Sequence, residues 1–169
     1  MRTLFLALTI LFGNAALAAP PPKNSLCTPE EDVIFQCDLK GKRLSLCASR
    51  DFSANGGTVQ YRYGVPAKIE LRYPESPQPA RDRFFFSSTA YSGGGEAHIR
   101  FRNGDYDYIL FDRTVRTGFG GGPNNPEFTS GVVTRRKGAT VSRRLCSNNG
   151  SIVSKAYEDL PKEEFEEIE

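Results

Sequence analysis

Apolar and polar positions alternate in twos along most of this chain, and glycine interrupts the alternation at short intervals. A period of two puts successive side chains on opposite faces of a strand, whereas a helix repeats every three to four residues. In DVIFQCD, Val33, Phe35 and Cys37 share a face, and after Lys40 and Gly41 the segment RLSLC returns with Leu44 and Leu46. With Lys40 and Gly41 as a two-residue turn, Cys37 pairs with Leu44 and Phe35 with Leu46. GTVQYRYGVPAKIELRYP predicts a second hairpin, with Val59, Tyr61 and Tyr63 rising to a turn at Gly64 to Ala67 and Ile69, Leu71 and Tyr73 returning. PESPQPARD reads as a polar, proline-rich loop, RFFFSS as a short buried strand, and SGVVTRRKGATVSRRLC as two strands around Lys137 and Gly138.

Asn103-Gly104 is the preferred dipeptide of a type I′ hairpin turn, in which both central residues take positive φ. That turn predicts Arg102 opposite Asp105, Phe101 opposite Tyr106, Arg100 opposite Asp107 and Ile99 opposite Tyr108. One face is then Ala97, Ile99, Phe101, Tyr106, Tyr108 and Leu110, while the other matches arginine with aspartate. About eight strands and almost no helical periodicity predict an all-β fold, a small antiparallel β-barrel or sandwich. Closure into a barrel is favoured because it removes exposed edges.

The two ends of the chain are made differently. Met1-Arg2, an apolar run from Leu4 to Phe12 and Ala16-Leu17-Ala18 form the three parts of a secretory signal peptide, residues 1–18. The run is too short to span a bilayer, which takes about 20 residues. Residues 19–26, with three prolines, read as an extended leader. Residues 27–154 then form a single β domain, and residues 155–169 an acidic tail. That tail holds seven acids against two lysines, about −5 in net charge, beside a body of about +6. A solvated tail with no partner is the plain expectation. The alternative is a tail that folds back on a basic patch of its own domain.

All four cysteines, Cys27, Cys37, Cys47 and Cys146, follow the signal. An even number in a small exported domain points to disulfides, and no C-x-x-C spacing offers a zinc site. Four cysteines allow three pairings. The first hairpin puts Cys37 on the apolar face and Cys47 on the other, which leans towards Cys37–Cys146 with Cys27–Cys47. A link to Cys146 would close a loop of about 100 residues and stabilise by about 4 kcal/mol. The periplasm or the outside of the cell is the expected location, with no membrane span.

Catalytic chemistry finds little to work with. The single histidine, His98, lies mid-strand, and Ser92 has no strand-to-helix elbow around it. The glycines Gly93, Gly94 and Gly95 lack the helix and lysine of a phosphate loop. Glu96 with Asp105 or Asp107 could in principle be paired for glycan hydrolysis, but the aspartates have arginine partners across the hairpin. No catalytic residue, metal site or cofactor is expected. The basic cluster Arg135, Arg136, Lys137, Arg143 and Arg144 brackets one hairpin. Export argues against nucleic acid, leaving a solvated tip, the acidic tail or an anionic envelope component as its counterpart. The glycine-rich stretch 118–126 is expected to be a long loop.

The order of Phe35-Gln36-Cys37-Asp38, Tyr91-Ser92-Gly93, Phe101-Arg102-Asn103-Gly104-Asp105 and Cys146 resembles the periplasmic inhibitors of C-type lysozyme, which are small exported barrels. In that family a Ser-Gly loop enters the lysozyme cleft, which implies that Ser92 would be the inserted residue. The family's tyrosine three residues after that serine is Gly95 here, and its tryptophan before the Lys-Gly turn has no counterpart, Phe101 standing near that place. The resemblance implies a non-catalytic binding domain, a protein inhibitor of a lysozyme-like envelope hydrolase. Its contact loop would be Tyr91, Ser92, Gly93, Gly94, Gly95 and Glu96. The alternative is an envelope-associated domain that binds cell wall or an anionic surface polymer through the basic hairpin.

Overall fold

The computed structural model describes residues 25–118 and 125–168. The signal peptide, most of the leader and the centre of the 118–126 stretch lie outside the described residues. Among the described residues nine strands form two antiparallel sheets. The first holds β1 (Glu31–Leu39), β2 (Lys42–Ser49), β3 (Val59–Val65) and β4 (Lys68–Gln78) in chain order. The second holds β5 (Phe84–Tyr91), β6 (Gly94–Asn103), β7 (Tyr106–Val115), β8 (Glu127–Arg136) and β9 (Ala139–Leu145), again in chain order. A short helix, α1 (Ser154–Asp159), follows. This is a sandwich: among the described residues no strand of one sheet pairs with a strand of the other, so the expected barrel closure does not occur.

Phe101 is the hub between the sheets. Its ring lies 4.7 Å from Tyr61, 4.9 Å from Tyr73 and 4.9 Å from Tyr108, the last two stacked. Phe35, Leu44 and Leu46 from the first sheet and Phe84, Ile99 and Leu110 from the second are fully buried in the same cluster. The alternation in the sequence is therefore the alternation of inner and outer faces.

Two registers show how side chains and turns divide the work. In the first hairpin, Phe35 pairs with Leu46 and Cys37 with Leu44, as the pattern predicts. In the β6–β7 hairpin the turn sits one residue later than expected. Gly104 and Asp105 are the two loop residues, Asn103 pairs with Tyr106, and Phe101 pairs with Tyr108. Only Gly104 takes positive φ there, +59°, which puts glycine at the first central position, as a type II′ turn requires. The offset is two residues in partner number, so every side chain keeps its predicted face. Arg100 still reaches Asp107, at 3.5 Å, but the other pair changes partners: Arg102 meets Asp107 at 2.8 Å, and Asp105 meets Arg136 at 3.4 Å.

The expected proline-rich loop is shorter than its sequence suggests, its turn confined to residues 79–83. Strand β4 continues to Gln78 and carries Pro74 and Pro77, which is tolerated because β4 is the outermost strand of its sheet. Gln60 caps the irregularity by donating to the carbonyls of Pro74 and Glu75 at 2.9 and 3.0 Å.

Both disulfides form with the pairing favoured above. Cys37–Cys146 ties β1 to the end of β9, and Cys27–Cys47 ties the incoming chain to β2. The incoming chain is held a second time by Arg62, which donates to both carboxylate oxygens of Glu31, at 2.6 and 2.7 Å, and to the carbonyl of Leu26 at 3.0 Å. Burial alone would raise the Glu31 pKa. The hydrogen bonds from Arg62 and Thr28 and the Arg62 charge outweigh it and hold that carboxyl below its ordinary value.

The acidic tail is the largest departure from expectation. Instead of a solvated segment it is a strap across the outer face of the second sheet. It starts along the β5 edge, where Phe86 N donates to Pro161 O at 2.7 Å and Glu163 N to Phe86 O at 3.0 Å. Further on, Glu163 accepts from Arg100, Glu166 lies 3.5 Å from Arg135, and Arg143 donates to the Ile168 carbonyl at 3.0 Å. Ile168 is buried with Ile109, Phe111 and Val133. Those three apolar residues stand on the face that would otherwise meet water, which is the physical reason for the strap.

Candidate functional site

Tyr91, Ser92, Gly93 and Gly94 form a tight hairpin turn rather than a flexible loop. Tyr91 pairs with Gly94, so only Ser92 and Gly93 are outside the ladder, and Gly94 and Gly95 belong to β6. The glycines are needed where strands crowd. A Cβ on Gly94 would stand 2.1 Å from the carbonyl oxygen of Thr114.

The turn is braced from its outer face. Tyr91 is partly exposed, yet its hydroxyl donates to Glu96 Oε2 at 2.6 Å. Desolvation and that hydrogen bond push the Tyr91 phenol up to about 12. Glu96 is buried, and its other oxygen lies 2.8 Å from His98 Nε2. Arg113 completes the set, with Nε 3.6 Å from Glu96 Oε2 and its guanidinium 5.8 Å from the Tyr91 ring centre. Of the predicted contact residues, Glu96 is thus a buried anchor that fixes the turn and offers nothing to a partner directly.

The same cluster limits what chemistry is on hand. His98 is buried between Glu96 and the ring of Phe165 from the strap, stacked at 4.5 Å. Burial lowers its pKa, with the Glu96 hydrogen bond and charge pulling the other way. Ser92 does not meet this imidazole: His98 is four residues along β6 from Gly94, about 13 Å at the rise of a strand. Cys27, Glu31 and Cys47 are the one metal-like grouping among the described residues. Both sulfurs are used in the disulfide, and the Glu31 carboxylate takes Arg62.

On the inner face at this end the second sheet carries a shallow trough of about 630 Å³. Ser88, Ala90, Gly95, Ala97 and Thr114 floor it, and Tyr157 of α1 stands at its side. Tyr157 is 44% exposed, and Phe128, paired with Thr114 on β8, is 57% exposed. A floor of small side chains beside exposed aromatics is a contact surface in outline. Sequence reasoning missed both aromatics, Tyr157 because it lies in the segment taken as tail. The 118–126 stretch joins β7 to β8 at this same end of the sheet.

The basic cluster does not make one patch. Alternation sends Arg143 and Arg144 to opposite faces of β9. Arg143 lies over the Phe111 ring and donates to the strap, as Arg135 does to Glu167 O at 2.5 Å. Arg136 is at the tip with Asp105 and the Tyr106 ring, Lys137 occupies the turn with φ of 50°, and Arg144 donates to the Tyr63 hydroxyl.

The chain matches no protein-family model, and comparisons with curated proteins and with solved structures return no match. Among the described residues no helix is long and apolar enough to cross a membrane.

Proposed function

We propose that this chain is an exported, non-catalytic binding domain that contacts a protein partner through the Ser92–Gly93 end of its second sheet. A lysozyme-like envelope hydrolase is the partner class we propose. The observation that carries this reading is the braced turn, with Tyr91 locked to buried Glu96 beside a trough flanked by Tyr157 and Phe128. A contact element already held in one conformation loses little entropy on binding, and exposed aromatics serve as anchors. The N-terminal pattern of basic start, apolar run and Ala-x-Ala, together with two disulfides, supports an oxidising, extracytoplasmic location. The envelope-polymer alternative loses support, because three of its five basic residues are held by the strap or by Asp105.

The test is a lysis-rate titration of a panel of lysozyme types with the purified protein and its Ser92→Arg variant. Saturable inhibition by the native chain that the variant weakens at least about tenfold is the expected result. Failure to inhibit any type overturns the lysozyme assignment.

A further inference from the structure

At the opposite end of the sandwich, where four of the hairpin turns gather, a second cavity of about 220 Å³ opens between the sheets. Leu39, Leu71 and Val132 supply apolar wall, and Tyr61, Tyr63 and Tyr108 supply ring faces and hydroxyls. Arg144 lines it as well. We propose that this cavity is a binding site for a small organic carboxylate with an apolar or aromatic body.

Three observations point to that ligand. The first is size. A cavity of about 150 Å³ accepts benzene, so 220 Å³ suits one ring, or a short alkyl chain, carrying a carboxylate. The second is a phenol in the wall. Tyr61 is 3% exposed, and its side chain lines the cavity. A phenol hydroxyl in the wall can donate to an acceptor inside the cavity. Burial above all, then the neighbouring Tyr108 and Tyr63, pushes the Tyr61 phenol up, while Arg144 pulls it down.

The third observation is charge. The Arg144 guanidinium spends one N–H on the Tyr63 hydroxyl, at 2.7 Å, and has no carboxylate partner among the described residues. Its remaining donors suit the two oxygens of a carboxylate. The adjacent Lys42, by contrast, is neutralised by Glu70 at 2.5 Å. An organic cation would be repelled by Arg144, and a neutral alcohol would leave its charge unused. The site lies at the far end of the second sheet from Ser92, so it stands or falls apart from the protein-binding reading.

The experiment is a titration of the isotope-labelled full domain with benzoate and hexanoate, with benzyl alcohol and benzylamine as neutral and cationic counterparts. Expected are saturable shifts of Tyr61, Tyr108 and Val132 signals with the carboxylates, at least about tenfold weaker binding of the alcohol, and none of the amine. Arg144→Gln, a change at an exposed side chain, should weaken the carboxylates about tenfold. Tyr61→Phe keeps the packed ring and should weaken them several-fold. Unchanged spectra elsewhere show that both variants are folded. No saturable shift at these residues up to about 10 mM carboxylate, equal binding of benzyl alcohol, or full affinity in Arg144→Gln overturns the proposal.

Discussion

The ring of Phe165 stacks on the ring of His98 at 4.5 Å and 23°, sixty-seven positions later in the chain, and closes the strap over the second sheet. Ending the chain after Leu160 would expose Ile109, Phe111 and Val133 and take Glu163 from Arg100 and Glu166 from Arg135. Such a truncation is expected to cost about 2–4 kcal/mol, and Phe165→Ala alone about 1–2 kcal/mol. Urea unfolding at neutral pH measures both. A midpoint unchanged by truncation would mean the strap adds nothing to stability.

Acid should loosen this contact. Burial holds His98 below its ordinary pKa, against the pull of Glu96. In the unfolded chain it takes a proton near pH 6.5, whereas in the folded chain it resists until lower pH. Stability is therefore full above about pH 6.5 and falls as pH drops through the folded pKa, since the unfolded state binds more protons there. Asp107, held low by the Arg102 hydrogen bond despite some burial, adds a loss only below about pH 4. Comparing urea midpoints at pH 7.5 and 5.0, the decline should shrink in His98→Gln. Equal declines in the two proteins would refute the assignment.

The two disulfides should differ in worth. Cys37–Cys146 spans 109 positions and Cys27–Cys47 spans 20. Chain entropy alone makes the longer link worth about 1.5 kcal/mol more. Double Cys→Ala variants of each pair, unfolded in urea, should rank in that order.

Tyr91→Phe removes the hydroxyl that donates to buried Glu96 and leaves the ring in place. The expected cost is about 1–2 kcal/mol, with faster amide exchange at Ser92 and Gly93. Unchanged exchange would show that the turn does not depend on the brace.

Much of the fold was legible because a period of two dictates faces even where it mistakes partners. The β6–β7 turn moved by one residue, yet Phe101 still pointed inward and Arg100 outward. Sandwich or barrel was not legible, since that depends on β4 and β5 not pairing, a fact without a local signature. The run from Gly93 to Gly95 misled for a related reason: glycine marks crowding between strands as readily as it marks a loop. The strap was hidden because Glu163 and Phe165 find their partners, Arg100 and His98, more than sixty positions away, and no periodicity in the tail announces them. Arg143 and Arg144, adjacent in sequence, looked like one patch and serve opposite faces.

The proposed contact end is tested most directly by following the backbone amides of the isotope-labelled protein while lysozymes of different types are added to equimolar amounts. The expected result is slow-exchange shifts confined to residues 91–97, Arg113, Thr114, Phe128 and Tyr157 with at least one type. No perturbation by any type, or shifts confined to the far end around Lys137 and Gly104, would contradict it.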